Sequence, residues 1–122
     1  MTRLWHYTCH HGDVGIRRSG IIRPHLGLVW LTDLGPDSLS PSRVRAACGL
    51  TSTILTCDSM TYCFEVDASD ALPWREFVRQ RADDEAFARK ARMLEAAPRV
   101  RPSNWYVSTR PVRLALGSEV PC

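Results

Sequence analysis

The chain has 122 residues, a length that supports one hydrophobic core and leaves no room for a second sizeable domain. Hydrophobic residues make up 44% and charged residues 24%, as in ordinary globular proteins, and no run of 18 apolar residues offers a membrane span. The net charge of +3 sets fifteen arginines and one lysine against 13 acids, too even a balance for a dedicated nucleic-acid binder, although arginine's planar fork suits phosphate and carboxylate. The opening Met1-Thr2-Arg3-Leu4-Trp5 lacks the apolar stretch of a signal peptide, so a cytoplasmic location is the default expectation. The five cysteines, Cys9, Cys48, Cys57, Cys63 and Cys122, are odd in number and form no Cys-x-x-Cys pair. They read as buried free thiols, not as a disulfide framework.

Taken in chain order, residues 3–8 read as a strand with Leu4, His6 and Thr8 on one face and Trp5 and Tyr7 on the other. Residues 12–19 form a short helix, with Asp13 near its start and Gly20 as a left-handed stop. Arg23-Pro24 is a bend, and residues 27–32 make a second strand, apolar on both faces and therefore central. Residues 33–52, rich in Gly, Pro, Ser and Asp, form an irregular region with a helical turn between Pro41 and Cys48, a candidate lid or substrate loop. Residues 53–57 and 62–67 read as two strands joined at Asp58-Ser59-Met60.

The stretch 73–97 is helical, capped by Ser69 or Asp70 with Pro73 in its first turn. Trp74, Phe77 and Val78 mark a buried stripe, Ala82-Asp83-Asp84 interrupts it, and Phe87, Ala91 and Leu94 resume it. One helix and two consecutive helices both fit that pattern. Asp84 or Glu85 beside Arg89 reads as helix ion pairing. Pro98 and Pro102 close the segment, and residues 104–109 and 112–116 are the last strands, with Arg110-Pro111 bending between them.

The chemistry gathers at His6. A histidine in a buried strand finds a hydrogen-bond partner in the core or faces a cavity. Thr8 shares its face and Tyr7 flanks it, and a neutral imidazole beside a hydroxyl at a strand end suits ribose hydroxyls. A zinc site from His6, Cys9, His10 and His11 with Cys48, Cys57 or Cys63 lacks the paired short spacings that structural zinc uses, so no metal is expected. There is no Gly-x-Ser-x-Gly elbow, no glycine-rich phosphate loop and no catalytic carboxylate pair.

Leu4-Trp5-His6-Tyr7-Thr8, then a helix and Gly20-Ile21, then Leu28-Val29-Trp30-Leu31-Thr32-Asp33, resembles the ADP-ribosyltransferase superfamily, including poly(ADP-ribose) polymerases. In those a Leu-Trp-His-Gly-Ser strand precedes a Gly-Ile-Tyr-Phe-Ala-Asp strand. The His-Tyr-Thr form is similar to small bacterial and phage transferases, among them DNA-modifying toxins. Arg23-x-His25 is similar to RNA 2′-phosphotransferases. The resemblance covers residues 3–33, about a quarter of the chain.

It implies a single α+β domain over residues 1–122, with two small mixed or antiparallel sheets around a cleft and flanking helices. The implied substrate is NAD, with transfer of ADP-ribose to a protein or nucleic acid, in a toxin or phage–host conflict. In that reading His6 contacts ribose hydroxyls, Tyr7, Thr8 and Thr32 line the site, and Arg23 clamps the pyrophosphate. Trp30 stands where the family has tyrosine, as a wall for the nicotinamide. Glu119 is the first candidate for the catalytic glutamate, with Glu65 and Asn104 as alternatives. A non-catalytic binding module of the same fold and an RNA 2′-phosphotransferase-like enzyme are the other readings the residues allow.

Overall fold

The computed structural model describes residues 2–8, 10–48, 62–67 and 69–118. It is a mixed α+β structure in which β1 (Leu4–Thr8), β3 (Val29–Thr32), β4 (Tyr62–Val66), β5 (Leu72–Pro73) and β6 (Trp105–Ser108) form a five-stranded sheet in the order β4-β1-β3-β6-β5. Every pairing in it is antiparallel. The registers include His6 opposite Phe64, Trp5 opposite Thr32 and Leu31 opposite Tyr106. A second, two-stranded sheet joins β2 (Ile21–Ile22) to β7 (Val112–Arg113).

The small sheet docks on the outer edge of the large one. Val66 bridges Leu114, Asp67 donates its amide to the Arg113 carbonyl at 2.9 Å, and Ala115 donates to the Glu65 carbonyl at 3.0 Å. These bonds satisfy backbone groups that an open edge strand would leave to another chain.

Each face of the large sheet has its own hydrophobic layer. On one face Leu4, Val29, Leu31, Phe64 and Val66 pack against Ile16 of α1 (His10–Ser19), Ile22 and Val112. Phe64 has no exposed surface at all. On the other face Trp105 and Val107 pack against Trp74 and Phe77 of α3 (Trp74–Gln80) and Ala91 of α4 (Glu85–Glu95). Beside them Leu34, Val44 and Ala47 form a cluster around α2 (Pro41–Ala47), with Tyr7 against it. The strand that was apolar on both faces is indeed the middle one, because both of its faces are covered.

Several boundaries differ from the sequence expectation, each for a local reason. The second strand begins at Val29, because Leu26 (φ 53°) and Gly27 (φ 87°) make a two-residue turn in which His25 and Leu28 exchange backbone bonds of 3.0 and 3.2 Å. Positive φ at both central positions is what such a turn requires. Pro73 belongs to β5, paired with Tyr106, and not to the first turn of a helix. Ser69 and Asp67 close a turn upstream of it in place of a helix cap, with the Ser69 amide and hydroxyl both donating to the Asp67 carboxylate.

Residues 73–97 resolve into two helices. Asp84 caps the second by accepting the Phe87 amide at 3.0 Å. Arg89 forms no ion pair among the described residues, whereas Arg17 pairs with Asp13 and Arg79 with Glu76. The expected strand at 53–57 and its Asp58-Ser59-Met60 turn lie outside the described residues. The thiol expectation needs correction: Cys48 is free, but Cys63 is disulfide-bonded. No helix among the described residues is long and apolar enough to cross a membrane.

Candidate functional site

His6 is held in one orientation. Its Nδ1 lies 2.8 Å from the Trp30 carbonyl oxygen on the neighbouring strand. A carbonyl can only accept, so Nδ1 carries the proton and donates it. In the neutral ring that leaves Nε2 as an acceptor. Burial pushes the imidazole below its ordinary value near 6.5, and the Trp30 bond opposes the shift only in part, so the ring is neutral at pH 7. The side chain remains half-buried. The result is a fixed, neutral ring with a lone pair at Nε2.

Leu4 packs in the same layer as Val29, Leu31 and Phe64, so alternation along β1 sends His6 and Thr8 to that face as well. Thr8 is buried, and a side chain at Gly12 would collide with its hydroxyl, so the first helix lies directly on Thr8. Tyr7 points the opposite way, toward α2, and its hydroxyl donates to the Leu34 carbonyl at 2.9 Å. Burial raises the Tyr7 phenol to about 12, which keeps that donor protonated.

The structure does not bring the His6 and Trp30 rings together. Trp30 lies between two residues of the His6-side layer, Val29 and Leu31, so its indole leaves the opposite face. There it packs against Trp74, with ring centroids 4.9 Å apart, and edge-on against Trp105 at 5.9 Å. Only the backbone carbonyl of Trp30 serves His6. The expected arrangement, with the two rings facing one ligand, is therefore corrected by strand alternation. Thr32 is buried, its hydroxyl accepts the Leu34 amide at 3.1 Å, and its side chain also hydrogen-bonds Cys48, so it is engaged locally.

Arg23 is exposed and forms no hydrogen bond or ion pair among the described residues, and His25 is exposed within the Leu26-Gly27 turn. Glu65 does not face His6. Its neighbours Phe64 and Val66 occupy the His6-side layer, so Glu65 projects from the other face. Arg3 grips it with bonds of 3.0 and 2.6 Å and holds its carboxyl below the usual range. Asn104 donates Nδ2 to the Asp33 carboxylate at 2.8 Å, while its buried Oδ1 has no hydrogen-bond partner among the described residues. Glu119 lies outside the described residues, as do Cys9 and Cys57. Among the described residues no three metal-ligating side chains gather.

One residue on the His6 face escaped the sequence reading. Tyr106 lies opposite Leu31 and packs against the same layer, half-buried. Its signal was the alternation in Trp105-Tyr106-Val107, whose face only strand pairing could assign. A surface depression of about 310 Å³ lined by Ala82, Glu85, Ala88, Arg89 and Arg92 belongs to α4 and the turn before it, with none of the residues above in its lining. No family model matches the chain, and no curated protein and no solved structure is found similar to it.

Proposed function

We propose that the chain transfers ADP-ribose from NAD to a protein or nucleic-acid acceptor, in an ADP-ribosyltransferase-like fold whose cleft opens on the His6 face of the large sheet. The observation that carries this reading is His6 itself: neutral, with Nδ1 engaged by the Trp30 carbonyl and Nε2 left as an acceptor. A ribose hydroxyl is the partner that such an acceptor selects, and a ring already fixed by its strand loses little freedom on binding it. Holding the ribose while the glycosidic bond to nicotinamide breaks is then the role of His6. Arg23, exposed and unpaired among the described residues, is the cation available to the pyrophosphate. The carboxylate that stabilises the developing positive charge on the ribose is assigned to Glu119.

A second reading, nucleotide binding without transfer, draws support from Glu65. The carboxylate on the strand next to His6 is turned to the other face and engaged by Arg3. Incubation with labelled NAD and cell extract separates the two, since transfer leaves a covalent label and binding does not. We expect labelling by the wild type and its loss in His6→Ala, with an unchanged circular dichroism spectrum. Labelling by His6→Ala at the wild-type rate would end the assignment. NAD-dependent loss of the 2′-phosphate from RNA, with nicotinamide released, the phosphate recovered on the ADP-ribose product and no lasting protein or nucleic-acid label, would instead favour a phosphotransferase.

A further inference from the structure

We infer that the outer surface of α4 and the chain that follows it, as far as Arg101, bind the phosphodiester backbone of a nucleic-acid strand. The inference is independent of the reading of His6, because α4 packs on the opposite face of the large sheet. Residues 86–101 carry five cations, Arg89, Lys90, Arg92, Arg99 and Arg101, against one acid, Glu95. That stretch holds more positive charge than the whole chain, whose net is +3. The even overall balance thus conceals a local concentration, the electrostatic footprint of a polyanion site. All five side chains are exposed, and none forms an ion pair or side-chain hydrogen bond among the described residues.

The surface depression of about 310 Å³ has Arg89 and Arg92 in its lining, with Ala82 and Ala88 between and beside them. Positions three apart on a helix are neighbours, so both guanidinium groups can reach one anionic group there. Their planar forks suit phosphate oxygens. Glu85, the acid in the lining, stands at the N-terminal end of α4 and directs a strand toward the C-terminal end and the cations beyond it. Every residue from Arg92 to Arg99 is exposed, so nothing interrupts that path. Met93, 76% exposed and four positions after Arg89, adds an apolar surface on which a base can rest. The helix dipole accounts for Arg92 in the last turn, but not for Arg99 and Arg101, which lie past the helix. Arg99 also holds a left-handed φ of 66°, unfavourable for arginine, with no side-chain bond among the described residues to offset it. Backbone strain kept at an exposed cation is a feature of ligand sites. The cations follow one another along the chain with no deep apolar pocket between them. That arrangement tracks a backbone, whereas a protein interface is anchored in a desolvated core.

The test is fluorescence anisotropy of a labelled oligothymidylate, single-stranded and as its duplex with oligoadenylate, titrated with the full chain between about 50 and 200 mM salt. The wild type is expected to bind with a Kd of about 1–100 μM, more tightly at the lower salt. Arg89→Gln/Arg92→Gln should weaken binding about tenfold and lower the slope of log affinity against log salt by about two, one for each lost cation. Arg99→Gln/Arg101→Gln should behave alike. Arg89→Lys/Arg92→Lys keeps the slope and serves if the glutamine pair fails to fold. Arg18→Gln/Arg113→Gln removes the same charge from exposed positions elsewhere and should change affinity by no more than about twofold. His6→Ala should bind as the wild type does, so a failed NAD assay leaves this result standing. The tighter of the two DNA forms shows whether the surface fits a single strand or a duplex. Absence of binding to both forms up to about 100 μM at the lower salt overturns the inference, as does an equal loss in Arg18→Gln/Arg113→Gln. Displacement of the DNA by poly-glutamate at a lower concentration than by unlabelled oligothymidylate would assign the surface to an acidic protein instead.

Discussion

At His6 two forces compete: burial favours the neutral ring, and the bond to the Trp30 carbonyl favours the protonated one, with burial the larger. The consequence for stability has a definite sign. A histidine whose folded pKa lies below its unfolded value near 6.5 takes up its proton first in the unfolded chain. Its contribution is therefore constant above about pH 6.5 and falls as the pH drops from 6.5 toward the folded value, by at most about 1.4 kcal/mol per pH unit. Glu65 and Asp67, both held below their ordinary values by hydrogen bonds, act in a separate and lower window. Their contributions are present above the usual carboxylate range and are lost as the pH falls through the folded values. The melting temperature is thus expected to be lower at pH 5.5 than at pH 7, and His6→Gln should remove most of that slope. An unchanged slope in His6→Gln would assign the titration to another group. On the proposed reading of His6, NAD affinity is expected to fall as the pH drops through the folded value and Nε2 takes up a proton.

Among the elements, the connection from β2 to β3 carries the clearest local conflict. Leu26 has a φ of 53° and is almost fully exposed, so a bulky side chain occupies a left-handed position with no burial to offset it. A left-handed residue other than glycine costs about 1–2 kcal/mol, less for asparagine. Leu26→Asn should therefore stabilise the protein by roughly 0.5–1 kcal/mol, read as a higher denaturant midpoint at unchanged slope. A lower midpoint would mean that Leu26 makes a contact worth more than its strain. Helix α4 shows the opposite case, local consistency: Asp84 caps it, Glu85 sits in its first turn and Arg92 in its last, each favourable to the helix dipole. That agreement explains the interruption legible at Ala82-Asp83-Asp84, where the sequence left one helix and two equally open, whereas the β2–β3 turn left no legible mark. A lone Leu-Gly pair carries a weaker turn signal than Asn-Gly or Asp-Gly.

At the scale of the whole molecule the large sheet is shared by two hydrophobic layers, so neither can be lost alone. Phe64, with no exposed surface, anchors one layer, and Phe77 anchors the other among Trp74, Phe87 and Trp105. Phe64→Ala and Phe77→Ala should each cost about 3–5 kcal/mol, a large part of the roughly 5–15 kcal/mol by which a domain is stable. Calorimetry should show one transition in each variant, shifted down by at least about 10 °C. A second, lower transition in Phe77→Ala would mean that the α3–α4 layer folds separately.

Sequence alone determined where most elements lie and which residues alternate within each. The pattern Leu4-x-His6-x-Thr8, the all-apolar Val29–Leu31 and the break at Ala82–Asp84 depend on backbone periodicity and caps, which are local properties of the chain. Which face of one strand meets which face of the next was decided only by tertiary pairing. A strand's two faces are related by a shift of a single residue, and no local interaction chooses between them. Thus the sequence marked His6 and Trp30 as neighbours in adjacent strands, and the pairing of β1, β3 and β6 put their rings on opposite sides. The same pairing turned Glu65 away from His6 and placed Tyr106 on its side, because each position inherits its direction from the buried residues next to it.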